Sequence, residues 1–169
     1  MSYTVRRVTE AEWPRYRDIR LRMLADTPLA YNDSLAEAKH YDEATWRERV
    51  ARTERAGNIL LVAEAGDDWL GVMGGWTPDG QPPHLVGVFV DPRFRGRASG
   101  VADALLDGII EWARASSPTL LLHVHETNER AKGFYLRHGF ELTGESVPYN
   151  LFPYGDEVEM RLDLGAQSA

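Results

Sequence analysis

Apolar and polar positions change period several times along the chain, and each change marks an element. Tyr3–Thr9 alternates and carries β-branched residues, which predicts a first strand. Over residues 10–26, Trp13, Tyr16, Ile19, Leu21, Met23 and Leu24 recur at roughly helical spacing, with Pro14 in the first turn. Residues 27–41 break that period and read as a loop or short helix. Residues 42–57 open on acids and close on Arg55 and Gly57, a second helix with sensible end chemistry. Residues 58–66 and 69–77 read as two strands around a Gly-Asp-Asp turn. Residues 84–92 and 119–126 are near-continuous apolar runs and predict strands buried on both faces. Between them, Val101, Leu105, Ile109 and Trp112 form one helical stripe within residues 99–116. Residues 128–139 read as a short helix closed by Gly139, residues 140–146 and 156–164 as the last strands, and the tail from about 165 as frayed.

The predicted order is β-α-α-β-β-β-α-β-α-β-β. A strand, a crossover helix and a strand over 84–124 make a parallel pair inside a mixed sheet. The length, 169 residues without repeat or linker, predicts a single domain over 1–169.

Composition narrows the chemistry. There is no cysteine, so disulfides, thiolate metal sites and any covalent thioester on the protein are excluded. Net charge is −7, a poor match for nucleic acid, which calls for a basic face. No run approaches the roughly 20 apolar residues of a membrane span. These features predict a cytoplasmic protein with no nucleic-acid or membrane partner, and they leave room for a homodimer.

Against the acidic background, Arg93, Arg95 and Arg97 stand out in "RFRGRASG". The stretch joins a predicted strand to a helix N-terminus, where exposed N–H groups and the helix dipole favour an anion. Glycine lets a backbone come close to a ligand. The spacing fits neither the P-loop nor G-x-G-x-x-G. A phosphate site and a solvated basic turn are both consistent with it.

A second stretch changes that balance. Asn128, Ala131, Phe134, Tyr135, Gly139 and Phe140 fit N-x-x-A-x-x-F-Y-x-x-x-G-F. Arg95 and Gly100 fill the first and last places of Gln/Arg-x-x-Gly-x-Gly/Ala, with Ala98 where glycine is usual. Together, over about 60 residues, these stretches resemble the GNAT superfamily of acetyl-CoA-dependent N-acetyltransferases. The resemblance implies an α/β (α+β) fold: a mixed, mostly antiparallel sheet with a splayed parallel strand pair, flanked by about four helices. It implies acetyl-CoA as co-substrate, no metal, and an acceptor amine on a small molecule or peptide. It implies that the backbone of Arg95, Gly96, Arg97, Ala98, Ser99, Gly100 and Val101 cradles the diphosphate. Pantetheine would then bond the backbone at Phe89 and Val90, where an N–H also serves the developing oxyanion. Asn128 and Phe134 complete the cofactor side.

Tyr135 is implied as the acid that protonates the leaving thiolate; a packing role is its alternative. For the base, His84 is the one titratable group in "PPHLVG", and a histidine suits the task. Glu126 is a second candidate. His123 and His125 share a strand face, but without cysteine or a clear carboxylate partner a metal site there is disfavoured. Tyr31, Trp76, Tyr149 and Phe152, with Tyr154, are expected to line the acceptor side, where aromatics hold a cation or an apolar group. Two alternatives stay open: a CoA-binding sensor without turnover, and a transferase of a longer acyl group.

Overall fold

Local hydrogen bonding explains where the elements begin and end. The computed structural model describes residues 2–165, so all but the first residue of the expected frayed tail lies outside the described residues. The strands are β1 (Thr4–Arg7), β2 (Asn58–Ala65), β3 (Asp68–Trp76), β4 (His84–Val90), β5 (Thr119–His125), β6 (Glu141–Pro148) and β7 (Asp156–Asp163). The helices are α1 (Trp13–Asp26), α2 (Leu35–Ala38), α3 (Glu43–Thr53), α4 (Val101–Arg114) and α5 (Glu129–Arg137). Helix α1 starts three residues later than its apolar period suggests. Residues 10–12 form a tight 3-10 turn, in which the Glu12 carboxylate accepts the Thr9 N–H at 2.9 Å. Helix α3 is capped by Asp42, whose Oδ1 accepts Thr45 N–H at 2.8 Å. It stops at Thr53 because the Asn58 amide donates to the Arg52 carbonyl at 2.8 Å and turns the chain into β2. The four-residue α2 is a fifth helix beyond the four expected. Its cap is Ser34, whose Oγ accepts Glu37 N–H at 3.4 Å.

The strands form one sheet in the order β1-β2-β3-β4-β5-β7-β6. Every neighbouring pair is antiparallel except β4–β5. Helix α4 lays Val101, Leu105, Leu106, Ile109 and Ala113 on one face. Helices α1 and α3 cover the other with Ile19, Met23, Leu24, Trp46 and Val50. Each large side chain so buried stabilises by about 1.5–3 kcal/mol.

The central pair departs from the expectation of full burial. Val86 is 40% exposed, and β5 alternates buried Leu120, Leu122 and Val124 with half-buried Leu121 and His123. The cause is a divergence. Parallel pairing holds at His84–Leu121 and Leu85–Leu122 and goes no further. Against β3, Val72 pairs with Phe89 and Gly74 with Val86, so three steps on β4 match two on β3. The extra residue is a bulge containing Gly87, at φ 59°, a conformation glycine adopts without strain. A bulge bends its strand, and β4 veers from β5. One edge of β4 is left unpaired inside the sheet.

Candidate active site

Two cavities flank this wedge and meet at it. The first, about 280 Å³, lies between β4, β5 and α5 and reaches Arg95 and Gly96. The second, about 560 Å³, lies over β2–β4 beneath α1 and α3. Residues 85–87, Ala30, Tyr31 and His123 line both.

The backbone of β4 sets what faces the first cavity. Asp91 N–H donates to the Leu70 carbonyl at 2.8 Å. Peptide groups alternate sides along a strand, so Phe89 also turns its peptide groups to β3, and Val88 and Val90 turn theirs to the wedge. This corrects the expectation for Phe89: Val90 presents the backbone there, while Phe89 packs its ring in the core under α1. Tyr31 Oη donates to the Val88 carbonyl at 2.7 Å, and Arg95 Nε to the Val90 carbonyl at 2.8 Å.

The loop before α4 works through its backbone. Gly96 and Gly100 hold φ 96° and 67°, whereas Ala98 is outside the left-handed region, so alanine there carries no strain. The N–H groups of Gly96, Arg97 and Ala98 donate to nothing else among the described residues. Ser99 staples the loop: its Oγ contacts the Phe94 carbonyl and accepts Val101 N–H at 3.4 Å, and its carbonyl accepts Tyr3 Oη at 3.4 Å. Val101 is fully buried as the first residue of α4.

The arginine side chains of this stretch do not converge on the loop. Arg95 does not project from the loop; it is tied to the Val90 carbonyl and to the Asp26 carboxylate at the end of α1. Arg93 pairs with Asp91 at 3.1 Å. Arg97 is exposed. The other cations lining the first cavity are Arg130 and Arg137 on α5, neither singled out from the sequence. The signal for Arg130 was present: it lies two residues past Asn128, in the first turn of the helix.

Asn128 caps α5, its Oδ1 accepting Ala131 N–H at 3.3 Å. Phe134 and Tyr135 line the first cavity with ring centroids 5.5 Å apart. Tyr135 is 6% exposed, and its hydroxyl has no hydrogen-bond partner among the described residues. Burial pushes its pKa well above the usual value, so the hydroxyl keeps its proton.

His84 lies in the second cavity and is buried. Its Nδ1 is 3.0 Å from the Pro82 carbonyl, an acceptor, so the neutral ring carries its proton there and Nε2 offers a lone pair. Burial, with His123 close by, holds its pKa below 6.5. His123 stacks on it at 5.6 Å and 15°, and sets Nε2 3.5 Å from Glu159 Oε2. Sequence reasoning weighed His123 only as a metal ligand and missed that it faces both cavities. The alternation of β5 was the available clue.

Three further candidates fall away from the cavities. Glu126 is exposed; its Oε1 accepts Asp156 N–H at 3.4 Å, tying the β5–α5 turn to the β6–β7 hairpin. Tyr149 is buried, and its hydroxyl donates to the Tyr31 carbonyl at 2.8 Å, so it braces the loop behind the site. Phe152 is 83% exposed at the hairpin tip, with Tyr154 beside it. Tyr31 and Trp76 do line the second cavity.

Residues 8–140 match the family described as "Acetyltransferase (GNAT) family". This chain belongs to that family. It is 41% identical over 63 residues to the peptidyl-lysine N-acetyltransferase YjaB of Escherichia coli K12, a match covering 37% of this chain and 39% of that protein. Solved structures share the whole fold. An N-acetyltransferase from Staphylococcus aureus Mu50 superposes with TM-score 0.79 at 20% identity, covering 98% of this chain and 100% of that one. The yncA structure from Salmonella typhimurium, solved with its cofactor acetyl-CoA, gives 0.78 at 20% identity over 100% and 98%. Both likenesses are of fold. No helix among the described residues is long and apolar enough to cross a membrane.

Proposed function

We propose that this acetyltransferase moves an acetyl group from acetyl-CoA to a primary amine by direct attack while both are bound. The observation that carries this is the junction of the two cavities at residues 85–87 and His123. A thioester reaching the junction from the first cavity is open to an amine arriving from the second.

The residues present fit the cofactor. The loop N–H groups of residues 96–98 and the positive end of α4 suit a diphosphate. The wedge-facing edge at Val90 suits an extended arm added like a strand, and its N–H suits a developing negative oxygen. When bound, acetyl-CoA supplies an activated acyl carbon and a thiolate leaving group. A free alkyl amine has a pKa of about 10.4, so it must lose a proton before attack. His84 Nε2 accepts that proton, directly or through His123 and water. The N–C bond forms, the C–S bond breaks, and Tyr135 Oη donates its proton to the departing sulfur. The nitrogen's second proton passes through solvent to the Tyr135 oxygen, and His84 releases the first to bulk water, so ammonium and thioester become amide, thiol and one free proton. With no cysteine in the chain, no acyl-enzyme on a thiol competes with this route.

The curated relative named for peptidyl-lysine brings lysine peptides into the acceptor range alongside small amines. The test is thiol release from acetyl-CoA across an amine panel, with both substrates varied. Intersecting initial-rate lines support direct transfer. Parallel lines overturn it, and saturable acetyl-CoA binding without release for any amine favours a sensor.

A further inference from the structure

Nothing in the cofactor chemistry calls for cations in the acceptor cavity, yet three arginines line it: Arg20 of α1 and Arg49 and Arg52 of α3. Their arrangement is specific. The Asp33 carboxylate, itself almost fully buried, takes Arg49 Nη1 at 3.1 Å and Arg20 Nη2 at 3.4 Å on one oxygen. Its other oxygen accepts the Tyr41 hydroxyl at 3.0 Å and the Ser34 N–H at 3.1 Å. One saturated carboxylate thus aligns two guanidiniums and leaves a net positive charge. Arg20 is also stacked on the Tyr31 ring at 5.1 Å, which fixes its plane. Its Nε is buried without a hydrogen-bond partner among the described residues. An unsatisfied buried donor on a charged group is costly, and such groups are normally paired.

The free end of the same guanidinium, Nη1, reaches the junction of the cavities. Arg20 Nη1 lies 3.9 Å from the point that a Cβ on residue 87 would occupy. Gly87 is the bulge residue at which the two cavities meet. The guanidinium therefore borders the spot where an amine must stand to attack. Arg52, exposed and without an ion pair among the described residues, adds charge at the rim. The cavity also holds the carboxylate of Glu157, which accepts the Asn32 amide at 3.3 Å. One acid opposite an arginine group suits a ligand with a single negative charge and a separate amine. It disfavours a polyanion.

We infer that the acceptor is a small amino acid, its carboxylate held by Arg20 with Arg49 and its amine one or two carbons away at the bulge. A bidentate guanidinium–carboxylate pair fixes orientation as well as charge. This deepens the transfer reading above and rests on it for turnover, while the binding claim stands on the cavity alone.

The experiment uses the full chain with a panel of free L-amino acids, their carboxamides, their decarboxylated amines and a lysine peptide blocked at both ends. Thiol release is read at saturating acetyl-CoA. In parallel, calorimetry measures binding of each acid to the CoA-loaded protein. At least one free amino acid should have kcat/KM ten-fold or more above its carboxamide and its amine. Arg20→Gln should raise the KM of that acid 10–100-fold while leaving the carboxamide and the KM for acetyl-CoA unchanged. Arg52→Gln changes an exposed side chain that anchors nothing, and should raise it about three-fold, so a folding loss at Arg20 does not decide the matter. Carboxamides, amines or the lysine peptide performing as well as the acids overturn the inference and leave the acetyltransferase reading standing. No release from any acceptor overturns the transfer reading instead. In that event calorimetry still decides: saturable amino-acid binding that Arg20→Gln removes supports the inference, and no binding of any acid ends it.

Discussion

The two cavities are built from different materials. The first cavity, the proposed cofactor side, is made of backbone: loop N–H groups, the open edge of β4, and the start of α4. Its side chains mostly hold that backbone in place, as Arg95 holds the Val90 carbonyl and Ser99 the loop. The second cavity, the proposed acceptor side, is made of side chains carried by four separate elements, with Arg20, Arg49, His84 and His123 converging from α1, α3, β4 and β5. A backbone site can bind the same anion with many sequences, provided glycine stands where φ is positive. A side-chain site is rewritten by any one substitution.

The largest effect expected is on the acceptor side of the chemistry. Replacing both His84 and His123 by Gln should lower kcat/KM at pH 7 by about 10²–10⁴-fold, the range of general base catalysis. Each single change should cost less, because the stacked ring remains as a second acceptor. The pH profile carries the sign. A pKa held below 6.5 keeps His84 neutral and active at neutral pH, so the acidic limb of the parent should fall below pH 6.5. The same shift means that the folded state binds fewer protons than the unfolded one. Stability contributed by burying neutral His84 is complete above about pH 6.5 and declines as pH falls through the lowered value. Full activity of the double variant between pH 6 and 8 would transfer the base role to solvent.

Next comes Tyr135, where the two cavities share one reaction. Tyr135→Phe keeps the ring packed on Phe134 and Phe140 and removes only the hydroxyl. A thiol has a pKa of about 8.5, so its thiolate already leaves fairly well near neutrality. Turnover should drop roughly 10–100-fold, at or below the low end for acid catalysis, with acetyl-CoA affinity unchanged. Equal turnover by the two forms, under conditions where chemistry limits the rate, would make Tyr135 a packing residue.

The same contrast explains what the sequence disclosed. Strands, helices and their order were legible because periodicity records burial, and the loop and α5 motifs were legible because a backbone site needs particular residues at fixed spacing. The bulge at Gly87 left little trace, since a lone glycine in an apolar run has several meanings, and with it went the partial exposure of Val86 and His123. The acceptor side was read from aromatic content, which placed Tyr149 and Phe152 wrongly. Tyr149 braces a loop, and Phe152 sits on a hairpin tip beyond both cavities. Arg20 and Arg49 are 29 residues apart and are joined only through Asp33, a tertiary contact that no local pattern encodes.

Arg95 sharpens the comparison from the cofactor side. If it gripped phosphate, Arg95→Ala would act chiefly on acetyl-CoA affinity. Its bonds to the Val90 carbonyl and Asp26 place the cost on folding instead, at about 1.5–3 kcal/mol for hydrogen bonds to a charged group. Denaturant titration should show a lower midpoint at unchanged slope. Arg95→Lys should rescue little, because a point charge does not reproduce two divergent donors.

The smallest effect should be at Ala98, and its smallness is the point. The pattern that this loop resembles has glycine where this chain has alanine, and a backbone site ought to be sensitive to that difference if the residue needed positive φ. It does not: the left-handed conformations fall on Gly96 and Gly100, on either side. Ala98→Gly therefore frees nothing that the cofactor uses. It adds freedom only to the unfolded chain, which should lower stability by about 0.4–1 kcal/mol. Acetyl-CoA affinity measured by calorimetry should stay within two-fold of the parent. Gly100→Ala makes the complementary change, forcing a side chain into φ 67° at the start of α4, and should weaken affinity and stability together. A large gain in affinity for Ala98→Gly, or an indifferent Gly100→Ala, would mean that the loop holds the diphosphate in another conformation, and that the backbone cradle is centred on residue 98.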